Sequence, residues 1–445
     1  MQLYRKELRP MLQLAIPVVI SEVGWVLMSL VDTIMVGRVS PEAIGAVSIG
    51  SSIYIVIPIV GIGFLLGLDY LIAHAFGGGD LPECHRWLLH GIYLSFIMTL
   101  PLTFLLWLLI WLLPRFDLHP DVLPLAIDYL EVVSWSILPL LLYATLRRYM
   151  QAINLVKPIM VTLITANGVN ALANWVFVFG HLGFPAMGST GAAYATLGSK
   201  IFLFLGLAFA VVRHELRYRT GLFHTQLKLE FRRIRKLMHL GYPASAQLLL
   251  EVGVFSAATL LAGRLTSTAL ASHQIVLKIA SLTFMVPLGI SSAGAVRVGQ
   301  ALGAKHPHAA SRSGWIALAL ATVFMSTAAV IFISFPQILI RIFTDNADVI
   351  QLGVSLLYIA AIFQIFDGIQ VVATGILRGT GDTRTPMISN LIGHWVLGLP
   401  VGATLAFKLG YDVFGLWVGL CVGLVAVAIV LLMTWIRRVR RMIAE

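Results

Sequence analysis

The chain has 445 residues, of which 59% are hydrophobic and only 11% are charged. This composition excludes an ordinary soluble protein, in which about 25% of residues are charged, and indicates an integral membrane protein. The net charge of +11 would suit a nucleic-acid partner only if the basic residues shared one face. Cys84 and Cys421 lie far apart in sequence, so they suggest neither a disulfide framework nor a cysteine metal site.

Apolar segments of membrane-spanning length recur along the whole chain, and we expect each of them to be a helix. We predict twelve spans, at about residues 13–36, 46–70, 88–113, 122–146, 158–180, 188–212, 237–262, 272–297, 314–340, 350–376, 386–409 and 412–436. Most Lys and Arg residues fall at the termini and in the loops on the same side as the termini. By the positive-inside rule both termini are predicted to be cytoplasmic, and the positive charge reflects topology rather than nucleic-acid binding.

The two halves of the chain resemble each other. Residues 14–38 align without a gap to residues 240–264, with Pro17 matching Pro243 and Arg38 matching Arg264. Basic cytoplasmic turns are predicted at corresponding places, 147–160 and 377–387. We therefore predict an amino-terminal six-helix lobe over 1–212, a basic cytoplasmic linker over 213–236 and a carboxy-terminal six-helix lobe over 237–445. The lobes should be related by an axis along the membrane normal.

Polar residues form helical stripes within several spans of the first half. Glu22, Trp25, Ser29 and Asp32 share one face of the first span. The fifth span carries Asn167, Asn170 and Asn174, and the sixth carries Thr196 and Lys200. Carboxylate, amide and hydroxyl oxygens can replace the water around Na⁺, whereas a carboxylate alone suffices to bind a proton. The alternative is that the asparagines only bond helix to helix.

The second half has stripes of the same kind. They comprise Gln247 and Glu251 in the seventh span, Gln274, Lys278 and Ser281 in the eighth, and Gln364, Asp367, Gln370 and Thr374 in the tenth. An intramembrane acid could form a structural ion pair with Lys278. Two acids and one lysine nevertheless leave at least one acid to hold a proton or a cation, and this indicates a functional site.

Several motifs together resemble the multidrug and toxic compound extrusion (MATE) family of the MOP superfamily, and its NorM-like bacterial branch in particular. They are Pro17 followed by LVDTIMVGR at 30–38, NGVNALANWVFVFG at 167–180, GAAYATLGS at 191–199, LLLEVGVF at 248–255, ASHQIVLK at 271–278 and GILRGTGDTRTP at 375–386. The resemblance covers essentially the whole chain. It implies an all-α integral membrane protein in which twelve transmembrane helices form two pseudo-symmetric six-helix lobes.

The resemblance also implies a function. Members of the family are antiporters that export amphipathic, often cationic, drugs through a V-shaped cavity between the lobes in exchange for H⁺ or Na⁺. Residues that match the amino-lobe proton or cation site are Asp32, Asn170, Asn174 and Thr196, and those expected at the carboxy-lobe cation and substrate site are Glu251, Gln274, Lys278 and Asp367. Na⁺ could bind at the first set or between Glu251 and Asp367. Lys200 and Lys278 depart from the family pattern and favour protons.

Other functions are left open by the residues. A lipid-linked precursor flippase of the same superfamily would be expected to have a strongly cationic cavity. A membrane-embedded lipid-modifying enzyme would need His, Asp and Glu clustered near one membrane face, whereas the acids here are spread over three spans. We expect a non-enzymatic transporter without a cofactor, a monomer in the bacterial inner membrane, whose partners are the lipid bilayer and small organic molecules.

Overall fold

The computed structural model describes residues 2–116 and 119–444, with side chains from residue 7 onward. Within these ranges the regular structure is helical and contains no strand. The α-helices are α1 (Gln2–Val36), α2 (Pro41–Leu65), α3 (Gly67–Gly77), α4 (Leu81–Leu112), α5 (Leu123–Ser134), α6 (Ile137–Ala152), α7 (Lys157–Phe179), α8 (Gly188–Tyr218), α9 (Phe231–Ala262), α10 (Ser267–Gly303), α11 (Pro307–Ser334), α12 (Pro336–Arg341), α13 (Ala347–Gly379), α14 (Arg384–Asn390), α15 (Leu399–Ala403) and α16 (Asp412–Ala444).

The number of membrane spans agrees with the prediction. Eleven helical segments of the described chain are long and apolar enough to cross a membrane, and the pair α5 and α6, bent by 46°, raises the number to twelve. The all-α membrane fold is therefore confirmed. Helices often extend beyond the predicted spans, as α10 does at both ends, because hydropathy marks the apolar part of a helix and not its polar end turns.

Proline and irregular turns modify several spans. Pro17 and Pro58 lie inside continuous helices, and Leu66 separates α2 from α3 within one span over 41–77. Two π-helical segments, Leu391–Gly398 and Thr404–Lys408, flank α15 in the span over 384–408. Neighbouring helices can satisfy the backbone groups that such irregularities free, which is why membrane helices tolerate them.

Contacts divide the chain into two compact units. One contains residues 20–245, and the other contains residues 1–19 together with 246–445. The chain passes from one unit to the other within α1, close to Pro17, and again within α9, close to Pro243. The predicted lobe boundaries at 1–212, 213–236 and 237–445 follow chain order and stay a prediction.

Small residues allow the helices within each unit to approach closely. In the unit of residues 20–245, a Cβ atom on Gly191 of α8 would lie 2.5 Å from the carbonyl oxygen of Phe177 on α7. In the other unit, a Cβ atom on Gly375 or Gly379 of α13 would come similarly close to Ser291 or Ala295 of α10. Glycines spaced four residues apart are typical of tight helix packing in membranes. This packing brings the polar stripes on these helices close together.

The predicted basic turn at 147–160 is wrong in one respect. Helix α6 continues to Ala152, and Arg147 and Arg148 are both buried within the unit instead of lying on a surface turn. The chain turns only after the helix, where Asn154 has a φ of 65°. Arg378 is likewise buried near the end of α13. A count of basic residues could not anticipate this, because it registers charge near a span end and not the partners of that charge.

Candidate cation and substrate sites

Asp32 is held by three hydrogen-bond donors from two other helices. Its Oδ1 accepts hydrogen bonds from Asn170 Nδ2 at 3.0 Å and Asn174 Nδ2 at 2.6 Å, both on α7. Its Oδ2 accepts a hydrogen bond from Thr196 Oγ1 of α8 at 3.3 Å. Both asparagines are completely buried, and Asn174 also donates to the carbonyl oxygen of Asn170 at 3.0 Å. The structure therefore brings together all four residues predicted for the amino-lobe site.

The asparagines link α7 to α1 through the carboxylate of Asp32. They lie one turn apart on α7, so both amides reach the same carboxylate oxygen. An acid that is partly buried at membrane depth indicates a functional site, because its charge is costly there. Carboxylate, amide and hydroxyl groups in one place can bind a proton directly, or a hard cation if the amide oxygens turn inward.

Lys200 belongs to the same neighbourhood. It lies one turn after Thr196 on α8, and its side chain is buried. Its Nζ atom is 3.7 Å from the ring centroid of Trp25 on α1. Its ammonium and the Asp32 carboxylate interact electrostatically, but they form no ion pair within 4 Å. The buried Tyr129 of α5 also lies near Asp32.

Two buried ion pairs lie elsewhere in the unit of residues 20–245. Glu22 of α1 pairs with Arg147 of α6, and Asp69 of α3 pairs with Arg148 at 3.4 Å. Sequence reasoning placed Glu22 on the polar face of the first span but missed its partner, and it did not single out Asp69. Charged residues inside apolar segments were the available signal for the acids. Nothing in the helical periodicity indicated which arginines they would meet.

The second polar cluster involves α9 and α13. Glu251 accepts a hydrogen bond from Gln247 Nε2 at 2.5 Å, one turn earlier on α9. The side chain of Asp367 on α13 is buried, and the two carboxylates interact electrostatically. Gln364, one turn before Asp367, donates a hydrogen bond to Thr283 of α10. Two acids that repel each other in a low-dielectric setting favour a bound proton or a cationic partner.

Neither Gln274 nor Lys278 forms a side-chain hydrogen bond or an ion pair with these two acids. Gln274 is partly buried on α10, and its side chain forms no hydrogen bond within the described part of the chain. Lys278 is exposed and has no carboxylate within 4 Å among the described residues. The alternative of a structural ion pair between an intramembrane acid and Lys278 is therefore not found among the described residues. The helical spacing placed it on the polar stripe correctly, but a long side chain on a stripe can still extend away from its neighbours.

Metal-ligand clusters of the usual kind do not occur at either site. Within residues 2–116 and 119–444, no group of three or more His, Cys, Asp or Glu side chains is arranged to hold a metal ion. The buried His273 has ordinary partners, since Thr259 lies 3.0 Å from its Nε2 and Trp417 Nε1 donates to its Nδ1 at 3.1 Å.

Comparison with known proteins identifies relatives over the full chain. The MatE family model matches residues 17–176 and 243–404. A probable multidrug resistance protein NorM of Mesorhizobium japonicum is 38% identical over 445 residues, covering 98% of this chain and 95% of the relative. Multidrug resistance protein NorM of Photobacterium profundum is 35% identical over 442 residues, covering 98% and 96%.

Solved structures share the fold at lower sequence identity. The eukaryotic MATE transporter AtDTX14 superposes with a TM-score of 0.88 at 21% identity, covering 99% of this chain and 98% of that chain. A MOP superfamily transporter from Pyrococcus furiosus superposes with a TM-score of 0.87 at 19% identity, covering 98% and 96%. Agreement over almost the entire length of both chains shows that the helices follow the same arrangement.

Proposed function

The chain belongs to the MatE family, and we propose that it is a secondary antiporter that exports amphipathic, often cationic, drugs in exchange for H⁺ or Na⁺. It is a multi-pass membrane transporter and not an enzyme. Relatives named multidrug resistance proteins, similar over almost the whole chain, support a drug substrate. The coupling ion is transported cargo and not a resident cofactor.

The observation that carries this proposal is the arrangement around Asp32. A carboxylate inside a membrane-spanning helix, with donors from Asn170, Asn174 and Thr196, can accept a cation and release it again. The donors hold the charged carboxylate in place when no ion is bound. Binding of a proton or cation removes the net charge and weakens these hydrogen bonds. The hydrogen bonds that join α1 to α7 and α8 would then differ between the empty and the occupied site. An exchange mechanism requires two such states.

Glu251 and Asp367 are proposed as the acids of the carboxy-terminal cation and substrate site. A cationic drug that leaves water needs a negatively charged partner, and these two acids lie in one polar cluster. Gln274, on the neighbouring helix α10, is proposed as a polar substrate contact. Lys278 is exposed on the same helix, and we propose that it contacts substrate or solvent instead of holding an acid.

We further propose that the protein works as a monomer in the bacterial inner membrane with both termini in the cytoplasm. The excess of Lys and Arg on the terminal side of the spans supports this orientation. The bacterial relatives support the location.

Transport in proteoliposomes tests the proposed function. Purified protein is reconstituted, a fluorescent organic cation is supplied, and a pH gradient and a Na⁺ gradient are imposed separately. We expect drug movement against its own gradient with at least one of the two ions, and none when both gradients are dissipated. Asp32→Asn keeps the shape of the side chain but cannot change its charge, so it should abolish coupled transport at matched protein incorporation.

The outcomes separate the alternatives. Coupled transport at the wild-type rate in Asp32→Asn would remove Asp32 from the mechanism. A failure to move any drug, together with gradient-independent movement of a lipid-linked precursor, would favour a flippase. Chemical modification of a lipid by the purified protein would favour a membrane-embedded enzyme.

A further inference from the structure

We propose that Lys200 is a specificity-determining residue that makes the Asp32 site select protons and reject Na⁺. The inference rests on the proposed function, because it concerns the ion that Asp32 exchanges. Lys200 would be the residue that decides which of the two ions binds. The residue lies on α8, one turn after Thr196, in the same cluster.

The burial of Lys200 calls for a reason. Its side chain is 7% exposed within a helix of membrane-spanning length, and an ammonium group in such a place is costly unless something stabilises it. A lysine that only anchors a helix would reach the membrane surface with its charged end. Lys200 instead places its Nζ 3.7 Å from the ring centroid of Trp25.

Trp25 holds the ammonium near Asp32 without neutralising the carboxylate. It lies two turns before Asp32 on the same face of α1, so a lysine over its ring stays beside the site. The cation–π contact stabilises the charge where water is excluded. Tyr143 of α6 packs edge-on against the ring of Trp25, and the two ring centroids are 5.9 Å apart. Lys200 thus places its ammonium group beside Asp32 without forming an ion pair with it.

The positive charge of the Lys200 ammonium weakens the binding of Na⁺ and of a proton at Asp32 by a similar amount, but Na⁺ has less other binding energy to offset this loss. Two unit charges a few ångströms apart in a protein repel each other by an amount that weakens binding roughly 10- to 100-fold. A Na⁺ ion is held by several individually weak contacts, so it needs several oxygen atoms that face it. The neighbours of Asp32 present donors: two amide N–H groups and one hydroxyl. A proton bonds covalently to the carboxylate, needs no other ligand and fits without movement of the amides.

The other charged groups near the cluster do not cancel this effect. Glu22 and Asp69 already have cationic partners in Arg147 and Arg148. Tyr129, which also lies beside Asp32, is a neutral phenol at ordinary pH. Lys200 is therefore the cation that a Na⁺ ion at Asp32 would meet.

Sodium binding measured without transport tests the proposal. Equilibrium binding of ²²Na⁺ to purified protein at pH 7, with choline as the replacement ion, is compared between each protein and the same protein carrying Asp32→Asn. The difference is the binding that depends on Asp32. We expect none in the wild type. In Lys200→Met, which keeps the length of the side chain but removes its charge, we expect saturable Asp32-dependent binding that is at least 10-fold tighter than the limit that the measurement sets for the wild type.

Two further variants complete the design. Lys200→Arg keeps the charge and should resemble the wild type. Lys305→Met removes an exposed lysine of the other unit and should leave Asp32-dependent Na⁺ binding unchanged. Asp32-dependent Na⁺ binding in the wild type, as tight as in Lys200→Met, would overturn the proposal, and the wild-type measurement decides this even if Lys200→Met is poorly folded. Absence of Na⁺ binding in a well-folded Lys200→Met would overturn it as well.

Failure of the proposed function has a different signature. If the protein exchanges no drug for any ion in proteoliposomes, the antiport proposal fails whatever the binding experiment shows. If drug export is coupled but Lys200→Met binds no Na⁺ at Asp32, only the selectivity proposal fails. In transport, Lys200→Met should make drug export newly sensitive to a Na⁺ gradient.

Discussion

Removal of either partner of the Glu22–Arg147 ion pair should destabilise the protein strongly. The side chains of Arg147 and Glu22 are only 8% and 12% exposed, so water cannot solvate a charge that loses its partner. Breaking a buried pair in this way typically lowers the free energy of unfolding by about 3–5 kcal/mol. Arg147→Met leaves the Glu22 carboxylate uncompensated, and we expect its loss of stability to fall in that range.

The structure also predicts an asymmetry between the two single variants. Arg147 interacts electrostatically with Asp69 as well as with Glu22, so Glu22→Gln leaves part of its charge compensated. Glu22→Gln should therefore cost less than Arg147→Met. The double variant Glu22→Leu/Arg147→Met removes both charges and keeps apolar volume, so it should recover most of the lost stability.

Thermal unfolding of the detergent-solubilised protein measures these differences. For a compact unit of roughly 200 residues, a change of 1 kcal/mol shifts the midpoint by about 2–4 °C. We therefore expect Arg147→Met to unfold roughly 6–20 °C below the wild type, with the double variant close to the wild type. A midpoint for Arg147→Met equal to that of the wild type would refute the reasoning that a buried charge needs this partner.

Three further predictions concern other parts of the chain. Glu251→Gln and Asp367→Asn should each weaken export of cationic drugs more than of neutral ones, whereas equal losses for both substrate types would point to folding or ion coupling. Lys278→Asn should change thermal stability by no more than about 0.5 kcal/mol, because the exposed side chain has no ion pair among the described residues, and a larger loss would contradict its exposed position. Gly375→Val should cost about 1–3 kcal/mol in thermal unfolding, because its side chain would collide with Ser291 of α10. Gly168→Ala, where a Cβ atom meets nothing within 4 Å, is the matched control and should not destabilise.

Hydropathy and internal repetition could predict the fold, and the reason is physical. Each span must be long, apolar and internally hydrogen-bonded, so one continuous stretch of sequence is enough to predict it. The ends of the helices are less constrained, since polar turns continue α1 and α10 beyond the bilayer-length segment at no cost. Helix ends therefore differed from the predicted spans while the number of spans agreed.

The amino-terminal site could also be predicted, because helical periodicity collects polar residues on one face. Asn170 and Asn174, four residues apart, both reach Asp32 as that spacing suggests. The two lysines show where the same reasoning stops. Thr196 and Lys200 have the same spacing as Gln274 and Lys278, but Lys200 is buried against Trp25 and Lys278 is exposed. Spacing fixes the face of a helix, whereas packing against other helices decides where a long side chain ends.

The distribution of charge in the unit of residues 20–245 distinguishes Asp32 from Glu22 and Asp69, and it agrees with the proposal that Asp32 binds a transported ion. Glu22 and Asp69 each have an arginine within ion-pair distance, and neither arginine can release its proton at any physiological pH. Those two carboxylates are therefore permanently compensated. Asp32 has a cation nearby, but Lys200 rests on an aromatic ring and forms no ion pair with it among the described residues. Asp32 is therefore the acid of the three at which we propose that a transported ion binds.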